Sequence, residues 1–423
     1  MRRSFLGLFG EIYVPRFYGW VIVAFTFVVQ FVTMGLCYYS FSLYLKPLTE
    51  ALATDRFEIS LALTIQSIVA ALLSPLAGKL YMTKPIKPLL FFGAACLSIG
   101  FISLSQITAV WQLYVFFGGF VGLGMVFLGV IPCNLLLANW FDKRRGTAMG
   151  ISQFGITISA TVLVPAVTWI VLNEGWETSF IVCGIAAAII LTPLIAFCAV
   201  RAPADLGQHP DGIAPASDAV ASGGPSEEWT FLKAIRDRDI WTITFVVGPC
   251  YLGIAAVVIN MPAHFTDLGF SAMDAAFVVS VTTFAGALAK PLMGTLSDYV
   301  NKKFVMAGAI FLQATGVIFL ITFDAYTTLL IGGALFGLGY GGVAPVWGLL
   351  LAARFGKESF AQVMGANMPM LTVFNMTGLP FANQVFDMTG SYIPAFTALL
   401  LGYLVSIVAL VLFRQHSPAQ VTA

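Results

Sequence analysis

The chain has 423 residues, of which 59% are hydrophobic and only 10% are charged, and its formal net charge is +1. Soluble domains contain roughly 25% charged residues, so this composition excludes an ordinary soluble globular protein and indicates that most of the chain lies in lipid. The near-zero net charge also gives no electrostatic reason to expect nucleic acid as a partner.

Twelve apolar stretches are long enough to cross a bilayer, for which a helix needs about 20 residues. In chain order they are residues 18–45, 59–82, 89–107, 111–138, 147–172, 178–200, 241–265, 274–299, 304–323, 326–352, 360–385 and 391–413. The sequence therefore predicts an all-α membrane protein with twelve transmembrane helices. The N-terminal apolar patch FLGLFG is too short for the core of a cleaved signal peptide, so none is expected.

The distribution of lysine and arginine predicts the orientation of these helices. Eighteen of the 21 basic residues fall on one predicted side, two (Lys46 and Arg56) fall on the other, and Lys290 lies inside a span. Because basic residues concentrate in cytoplasmic loops, both termini are expected in the cytoplasm, which requires an even number of spans. The predicted location is the cytoplasmic membrane, that is, an inner or plasma membrane.

A polar linker divides the chain into two halves. Residues 201–238 are rich in Pro, Gly, Ser and Asp, as expected for a flexible linker. The last part of this stretch, WTFLKAIRDR, is predicted to form a short interfacial helix. The predicted domains are a six-helix half over residues 1–200, the linker over 201–238 and a second six-helix half over 239–423.

Short sequence repeats relate the two halves. Gly78-Lys79-Leu80 follows the second span, and Gly294-Thr295-Leu296 follows the eighth. Ala148-Met149-Gly150 and Val363-Met364-Gly365 lie early in spans 5 and 11, at a separation that matches the first pair to within one position. Matching separations in corresponding loops indicate parallel repeats related by an axis along the membrane normal.

Several segments resemble a known family. GTLSDYVNKK (294–303) is similar to the loop signature of the major facilitator superfamily, and its first-half copy GKLYMTKPIK (78–87) lacks the Asp. YGWVIV (18–23), NWFDKRRGTAMG (139–150) and ALAKPLMG (287–294) resemble the monocarboxylate transporter and oxalate–formate antiporter branch. The resemblance implies two six-helix halves that move a small solute by alternating access.

Lys290 is the one charged residue in the interior of a predicted span, away from its ends. It lies eight residues before Asp298, roughly 12 Å deep at 1.5 Å per residue, where a charge costs about 2.5–3.5 kcal/mol on insertion scales. Residues three, four and seven positions away are small or polar, whereas another flank is bulky and suited to lipid: Phe277, Phe284, Leu288 and Leu292. Since no carboxylate is predicted inside a span, a substrate carboxylate is the simplest partner; the alternative is a lysine that extends to the headgroups.

The resemblance implies the same role for Lys290. In that branch a cation at this position, normally arginine, binds the carboxylate, and lysine replaces the planar bidentate fork with a point charge. The Asp that proton-coupled members have one turn earlier is Gly286 here, and residues 366–376 contain no second basic residue like that of the antiporters. Proton symport, anion exchange and uniport all stay open, with Lys290 or His264 as the candidate proton carrier.

Five further polar residues complete the predicted substrate site. The resemblance implies that spans 1, 4, 7 and 10 line the cavity, and Tyr38 and Tyr39 lie in span 1 and Asn134 in span 4. Asn260 in span 7 and Asn367 in span 11 are the other two candidates. The alternative for each is an ordinary hydrogen bond between helices, worth about 0.6–2 kcal/mol.

Two features near the ends of spans suggest gating. His264 lies near Asp267 at the predicted outer face, where its titration range suits a proton-linked gate; the alternative is a surface histidine without a task. Asp298, Lys302 and Lys303 resemble the family's cytoplasmic clamp, which stabilises one conformation.

The sequence thus predicts a secondary active transporter that moves a small organic anion, most simply a monocarboxylate, across the cytoplasmic membrane. An alternative keeps the fold but transports a larger aromatic acid or a neutral heterocycle such as a vitamin, since 14% of the residues are aromatic. Besides the anion, the expected partners are a coupled proton or counter-anion and the lipid bilayer, and the protein is expected to be a monomer.

An enzyme is not predicted. The sequence has no P-loop and no convergent set of nucleophile, base and metal ligands. The six cysteines lie in apolar stretches and the three histidines are scattered, so neither a metal site nor another cofactor is expected.

Overall fold

The computed structural model describes Arg2–Arg3, Ile12–Tyr13 and residues 17–213, 229–356 and 358–413. The middle of the predicted linker (214–228), the chain termini and three basic residues counted for the orientation (Arg16, Lys357 and Arg414) lie outside this part.

The described residues form an almost entirely helical protein, apart from a two-residue antiparallel pairing of Arg2–Arg3 with Ile12–Tyr13. The first helices are α1 (Gly19–Met34), α2 (Phe41–Ala51), α3 (Arg56–Thr83), α4 (Ile86–Leu104), α5 (Val110–Leu113), α6 (Gly122–Leu128), α7 (Val130–Trp140) and α8 (Arg145–Cys198). The remaining helices are α9 (Phe231–Arg236), α10 (Arg238–Asp267), α11 (Ala272–Tyr299), α12 (Lys302–Thr322), α13 (Tyr326–Phe355), α14 (Phe360–Thr389) and α15 (Ile393–Leu412). Two π-helical segments, Gly35–Tyr39 and Tyr114–Val121, join α1 to α2 and α5 to α6.

Among the described residues, ten helical stretches are long and apolar enough to cross a membrane. One of them, α8, has 54 residues, and Gly175 within it has φ 86° and ψ 166°, so the chain leaves the helical conformation there. Both ends of α8 lie beside the end of α7, since Trp140 Nε1 donates to the Val200 carbonyl at 2.9 Å. α8 therefore turns back on itself and is long enough to cross a membrane twice. α14 has 30 residues but is not apolar enough to be one of the ten stretches. Depending on α8 and α14, the fold contains between ten and twelve spans.

We use the term basic end for the end of the bundle at which α3 and α11 end and α8 and α14 begin. The lysines and arginines near these helix termini give it its name: Lys79, Lys84, Lys143, Arg144 and Lys302. We call α1–α8 the N-terminal half and α10–α15 the C-terminal half. The two halves pack against each other mainly through two seams, α3 against α14 and α8 against α11.

Glycines allow both seams to close at the basic end. A Cβ on Gly78 would collide with the backbone oxygen of Ala361, and a Cβ on Gly294 would collide with that of Gly146. The repeat register of the sequence pairs Gly78 with Gly294 and Gly146 with Ala361. The same packing thus occurs twice, which is consistent with the predicted parallel repeat.

The described parts of the linker are fastened to the basic end. The Gln208 side chain accepts a hydrogen bond from the Tyr18 backbone N–H at 3.0 Å, and the Asp211 carboxylate accepts from the backbone N–H groups of residues 142–144. In the last part of the linker, α9 forms the short helix that the sequence predicts there. The linker therefore contacts the turn between α7 and α8.

Candidate functional site

A cavity of about 380 Å³ lies between the two halves. This volume falls in the range of small-molecule sites, about 300–1,000 Å³. The N-terminal half contributes Met34, Tyr38, Tyr39, Gln66, Ser67, Ala70, Met125, Val130, Gln153 and Ile156 to its wall. The C-terminal half contributes Tyr251, Ile254, Lys290, Tyr340, Ala344, Trp347, Met368, Leu371, Thr372, Asn375 and Met376. The wall is mostly apolar and aromatic, with one charged side chain.

That charged side chain is Lys290, which is only 6% exposed. Its Nζ donates a hydrogen bond across the seam to the backbone carbonyl of Gln153 at 3.2 Å. The predicted bulky flank of the same helix points outward, with Phe284 64% and Leu292 62% exposed. α11 is thus rotated so that the cation faces the cavity and the large apolar residues face the surroundings.

Lys290 lacks an anionic partner in the described part of the chain, where the ion pairs are formed by other residues. A buried charge is stable only when an opposite charge or hydrogen bonds compensate it, and one carbonyl compensates an ammonium with three donors incompletely. The cavity therefore presents a positive charge in a region of low dielectric constant, where attraction to an anion is stronger than in water.

Tyr340 fills the space next to Gly286, one turn before Lys290 on α11. A Cβ on Gly286 would overlap the Tyr340 ring, so the side chain from α13 occupies the place into which an acidic residue at this position would extend. The wall next to the cation is therefore formed by a phenol and contains no carboxylate among the residues that the structure describes.

Tyr38 and Tyr39 both line the cavity. They are the last residues of the π-helical segment Gly35–Tyr39, and such segments occur frequently at functional sites. Their rings pack edge to face with centroids 5.6 Å apart. Tyr38 is 43% exposed, so the pair offers hydroxyl groups on the wall of the N-terminal half.

All three predicted asparagines lie outside the cavity lining in the described chain. Asn134 is fully buried between the halves, where its amide contacts the Met364 sulfur at 3.9 Å. Asn260 donates to the Ala256 carbonyl in its own helix at 2.9 Å. The first thus contributes to packing between the halves, and the second satisfies a helical carbonyl.

Asn367 lies one layer behind the cavity wall. Its Oδ1 accepts from Trp347 Nε1 at 2.8 Å, and its Nδ2 donates to Thr244 Oγ1 at 2.7 Å. Since Trp347 lines the cavity, Asn367 orients a wall residue from behind.

Asp298 joins the two halves at the basic end. Its carboxylate accepts hydrogen bonds from the backbone N–H groups of Gly146 and Thr147 at 2.6 and 2.8 Å, and from Thr147 Oγ1 at 2.6 Å. These donors form the N-terminus of α8, where the helix dipole also favours an anion. Asp298 on α11 therefore caps a helix of the opposite half.

The two predicted lysine partners of Asp298 take different positions. Lys302 is half-buried within electrostatic range of Asp298. Lys303 instead donates to the Phe413 backbone carbonyl and lies over the Phe413 ring, so it holds the end of α15 within the C-terminal half.

His264 lies in an aromatic cluster, away from the residues that line the cavity. It is 3% exposed, its Nε2 is 3.2 Å from the Leu320 carbonyl, and its ring centroid is 5.3 Å from that of Phe396. His264 therefore lies in the packed interior of the C-terminal half and not at the surface, where it is expected from the sequence.

Several wall residues were not among the predicted site residues: Gln66, Gln153, Tyr251, Tyr340 and Trp347. Tyr251 and Tyr340 lie in predicted spans 7 and 10, so the expectation that these spans line the cavity was a sufficient signal. No sequence signal distinguished Gln153 from the other amides in spans. In the described part of the chain, no cluster of three or more His, Cys, Asp or Glu residues could hold a metal ion.

Comparison with known proteins identifies the family that has this architecture. The profile described as Major Facilitator Superfamily matches residues 21–286 and 243–423. "Monocarboxylate transporter 2" of Mus musculus is 23% identical over 396 residues, covering 89% of this chain and 79% of that protein. "Monocarboxylate transporter 13" of Rattus norvegicus is 24% identical over 381 residues, covering 90% and 85%.

Solved structures share the fold at lower sequence identity. The transporter FucP in the outward conformation superposes with a TM-score of 0.71 at 13% identity, covering 94% of this chain and 100% of that one. The proton:xylose symporter XylE bound to 6-bromo-6-deoxy-D-glucose gives 0.70 at 14% identity, covering 93% and 94%. Because the family profile spans nearly the whole chain, this protein belongs to the Major Facilitator Superfamily, and it is a multi-pass membrane transporter that resembles the monocarboxylate transporters.

Proposed function

We propose that the protein is a secondary active transporter that moves a small organic anion, a monocarboxylate, across the cytoplasmic membrane by alternating access. The observation that supports this most is Lys290, a buried cation that faces the cavity between the halves without a carboxylate partner among the described residues. The relatives named monocarboxylate transporters support the same substrate class.

In this proposal the substrate carboxylate binds the Lys290 ammonium and its apolar part contacts the aromatic wall. The structure has both seams closed at the basic end, which we assign to the cytoplasmic side from the distribution of lysine and arginine. Rocking of the two halves would then release Asp298 from the N-terminus of α8 and open the cavity toward the cytoplasm. The predicted division at residues 201–238 would form the connection between the rocking units.

The test is uptake of labelled carboxylates, from lactate-sized to aromatic acids, by the purified protein in liposomes. Lys290→Ala is expected to raise the KM for an accepted acid at least about 100-fold, because losing one partner of a buried charge pair costs about 3–5 kcal/mol. Lys290→Arg should keep measurable uptake because it keeps the charge. Lys46→Ala, which removes an exposed lysine on α2, is the control and should leave uptake unchanged.

The same assay assigns the coupling. Uptake that accelerates with an acid-outside gradient would identify proton symport, whereas uptake that needs internal anion would identify exchange. Wild-type rates in Lys290→Ala would refute the binding role of Lys290. If no acid in the panel were taken up, the proposed substrate class would be wrong.

A further inference from the structure

Gln153 presents an unusual side chain at the cavity wall. It is 1% exposed, and within the described chain neither its Oε1 nor its Nε2 has a hydrogen-bond partner. A buried polar group without a partner destabilises a protein, so such a group in a native site calls for an explanation. Gln153 lines the cavity, and its own backbone carbonyl accepts the hydrogen bond from Lys290.

The internal repeat shows that packing does not require an amide at this position. Gly150 packs against the Lys290 backbone oxygen, and Gly365, its counterpart in the repeat, packs against that of Ser74 in the same way. In this register the counterpart of Gln153 is Met368, which also lines the cavity. Methionine and glutamine have nearly the same length, so the repeated fold accommodates an apolar side chain at this place.

Lys290 and Gln153 therefore lie at the same seam. The register that pairs Gly294 with Gly78 also pairs Lys290 with Ser74, while Gln153 corresponds to Met368. The α8–α11 seam thus has a cation and an unpaired amide, one from each half, where the α3–α14 seam has a hydroxyl and a thioether. A cation and an adjacent amide donor can each donate to one oxygen of a carboxylate.

We propose that Gln153 is a second substrate-binding residue, whose amide N–H donates to one oxygen of the bound carboxylate while the Lys290 ammonium binds the other. This inference rests on the proposed function and adds to it that the anion is held by one residue from each half. The bound substrate then bridges the α8–α11 seam, so its presence is communicated to both halves at once.

The test compares Gln153→Met with Gln313→Met in the liposome assay, using an acid that the wild type transports. Gln153→Met keeps the side-chain length and copies the residue of the other repeat, and it should raise the KM about 10- to 100-fold, as expected for a lost hydrogen bond to a charged group. Gln313 is the matched control: it is 0% exposed and its amide also lacks a partner among the described residues. It packs beside Gly339 between α12 and α13, so Gln313→Met should leave the KM unchanged.

A second variant tests the position of the amide relative to the cation. Gln153→Glu adds a carboxylate of the same size next to Lys290, which should compete with the substrate and reduce uptake more than Gln153→Met does. An unchanged KM in Gln153→Met, or an equal rise in Gln313→Met, would overturn the inference. If Lys290→Ala abolished uptake while Gln153→Met did not affect it, this inference would fail and the proposed function would stand; if the wild type transported no acid, both would fail.

Discussion

Replacement of Asp298 by asparagine is predicted to destabilise the conformation in which the basic end is closed. The carboxylate accepts three hydrogen bonds from the N-terminus of α8, and hydrogen bonds to a charged group contribute about 1.5–3 kcal/mol each. Asparagine keeps one acceptor oxygen and loses the charge, and the half-buried site is partly solvated. We therefore expect a net loss of about 2–3 kcal/mol, equivalent to a roughly 30- to 150-fold shift in the conformational equilibrium.

The assay for Asp298→Asn is the labelling rate of a cysteine at Ser74 by a membrane-impermeant thiol reagent. Ser74 is 6% exposed and lies in the α3–α14 seam, so it becomes reactive only when the basic end opens. The six native cysteines supply the background rate, which is measured in the chain without Ser74→Cys. Asp239→Asn is the control, because the partner of Asp239, Arg354, lies in the same half. Equal labelling rates with and without Asp298→Asn would refute the view that this carboxylate holds the halves together.

Two further predictions concern residues placed by the structure. Gly294→Ala should also shift the conformational equilibrium toward the open basic end, by about 1–3 kcal/mol, because the added methyl group overpacks against the Gly146 carbonyl. Gly308→Ala, where a Cβ meets open space, is its control in the labelling assay. His264→Phe should lower thermal stability by about 0.5–1.5 kcal/mol through loss of the bond to the Leu320 carbonyl. Its uptake KM and pH profile should match the wild type, and a lost pH dependence would identify His264 as a proton carrier.

The membrane architecture could be predicted from the sequence because lipid imposes simple requirements on length and polarity. The apolar stretches 360–385 and 391–413, for example, correspond closely to α14 and α15. The break at Gly175 agrees with two spans predicted at 147–172 and 178–200. The inward position of Lys290 was also predictable, since a charge and bulky apolar residues on one helix require opposite environments.

The individual polar residues of the site were harder to predict, because an amide in a span has two possible roles. Asn260 bonds to its own helix and Asn134 lies in the contact between halves, whereas Gln153 lines the cavity with its amide unpaired among the described residues. Which role applies depends on helix rotation and on the neighbouring helix, and the pattern of one sequence specifies neither for residues of similar polarity.

The two seams close the basic end by different means, although they repeat one packing. The repeat register pairs Asp298 with Met82, so the α3–α14 seam lacks the equivalent carboxylate and relies on the close approach of Gly78 and Ala361. The α8–α11 seam has both the Asp298 cap and, farther from the basic end, Lys290. Because one helix, α11, contains the group that locks the seam and the group proposed to bind the anion, an anion that shifts α11 toward α8 or away from it would act directly on the Asp298 cap. Substrate binding and closure of the seam would then be coupled through only the two helical turns between residues 290 and 298.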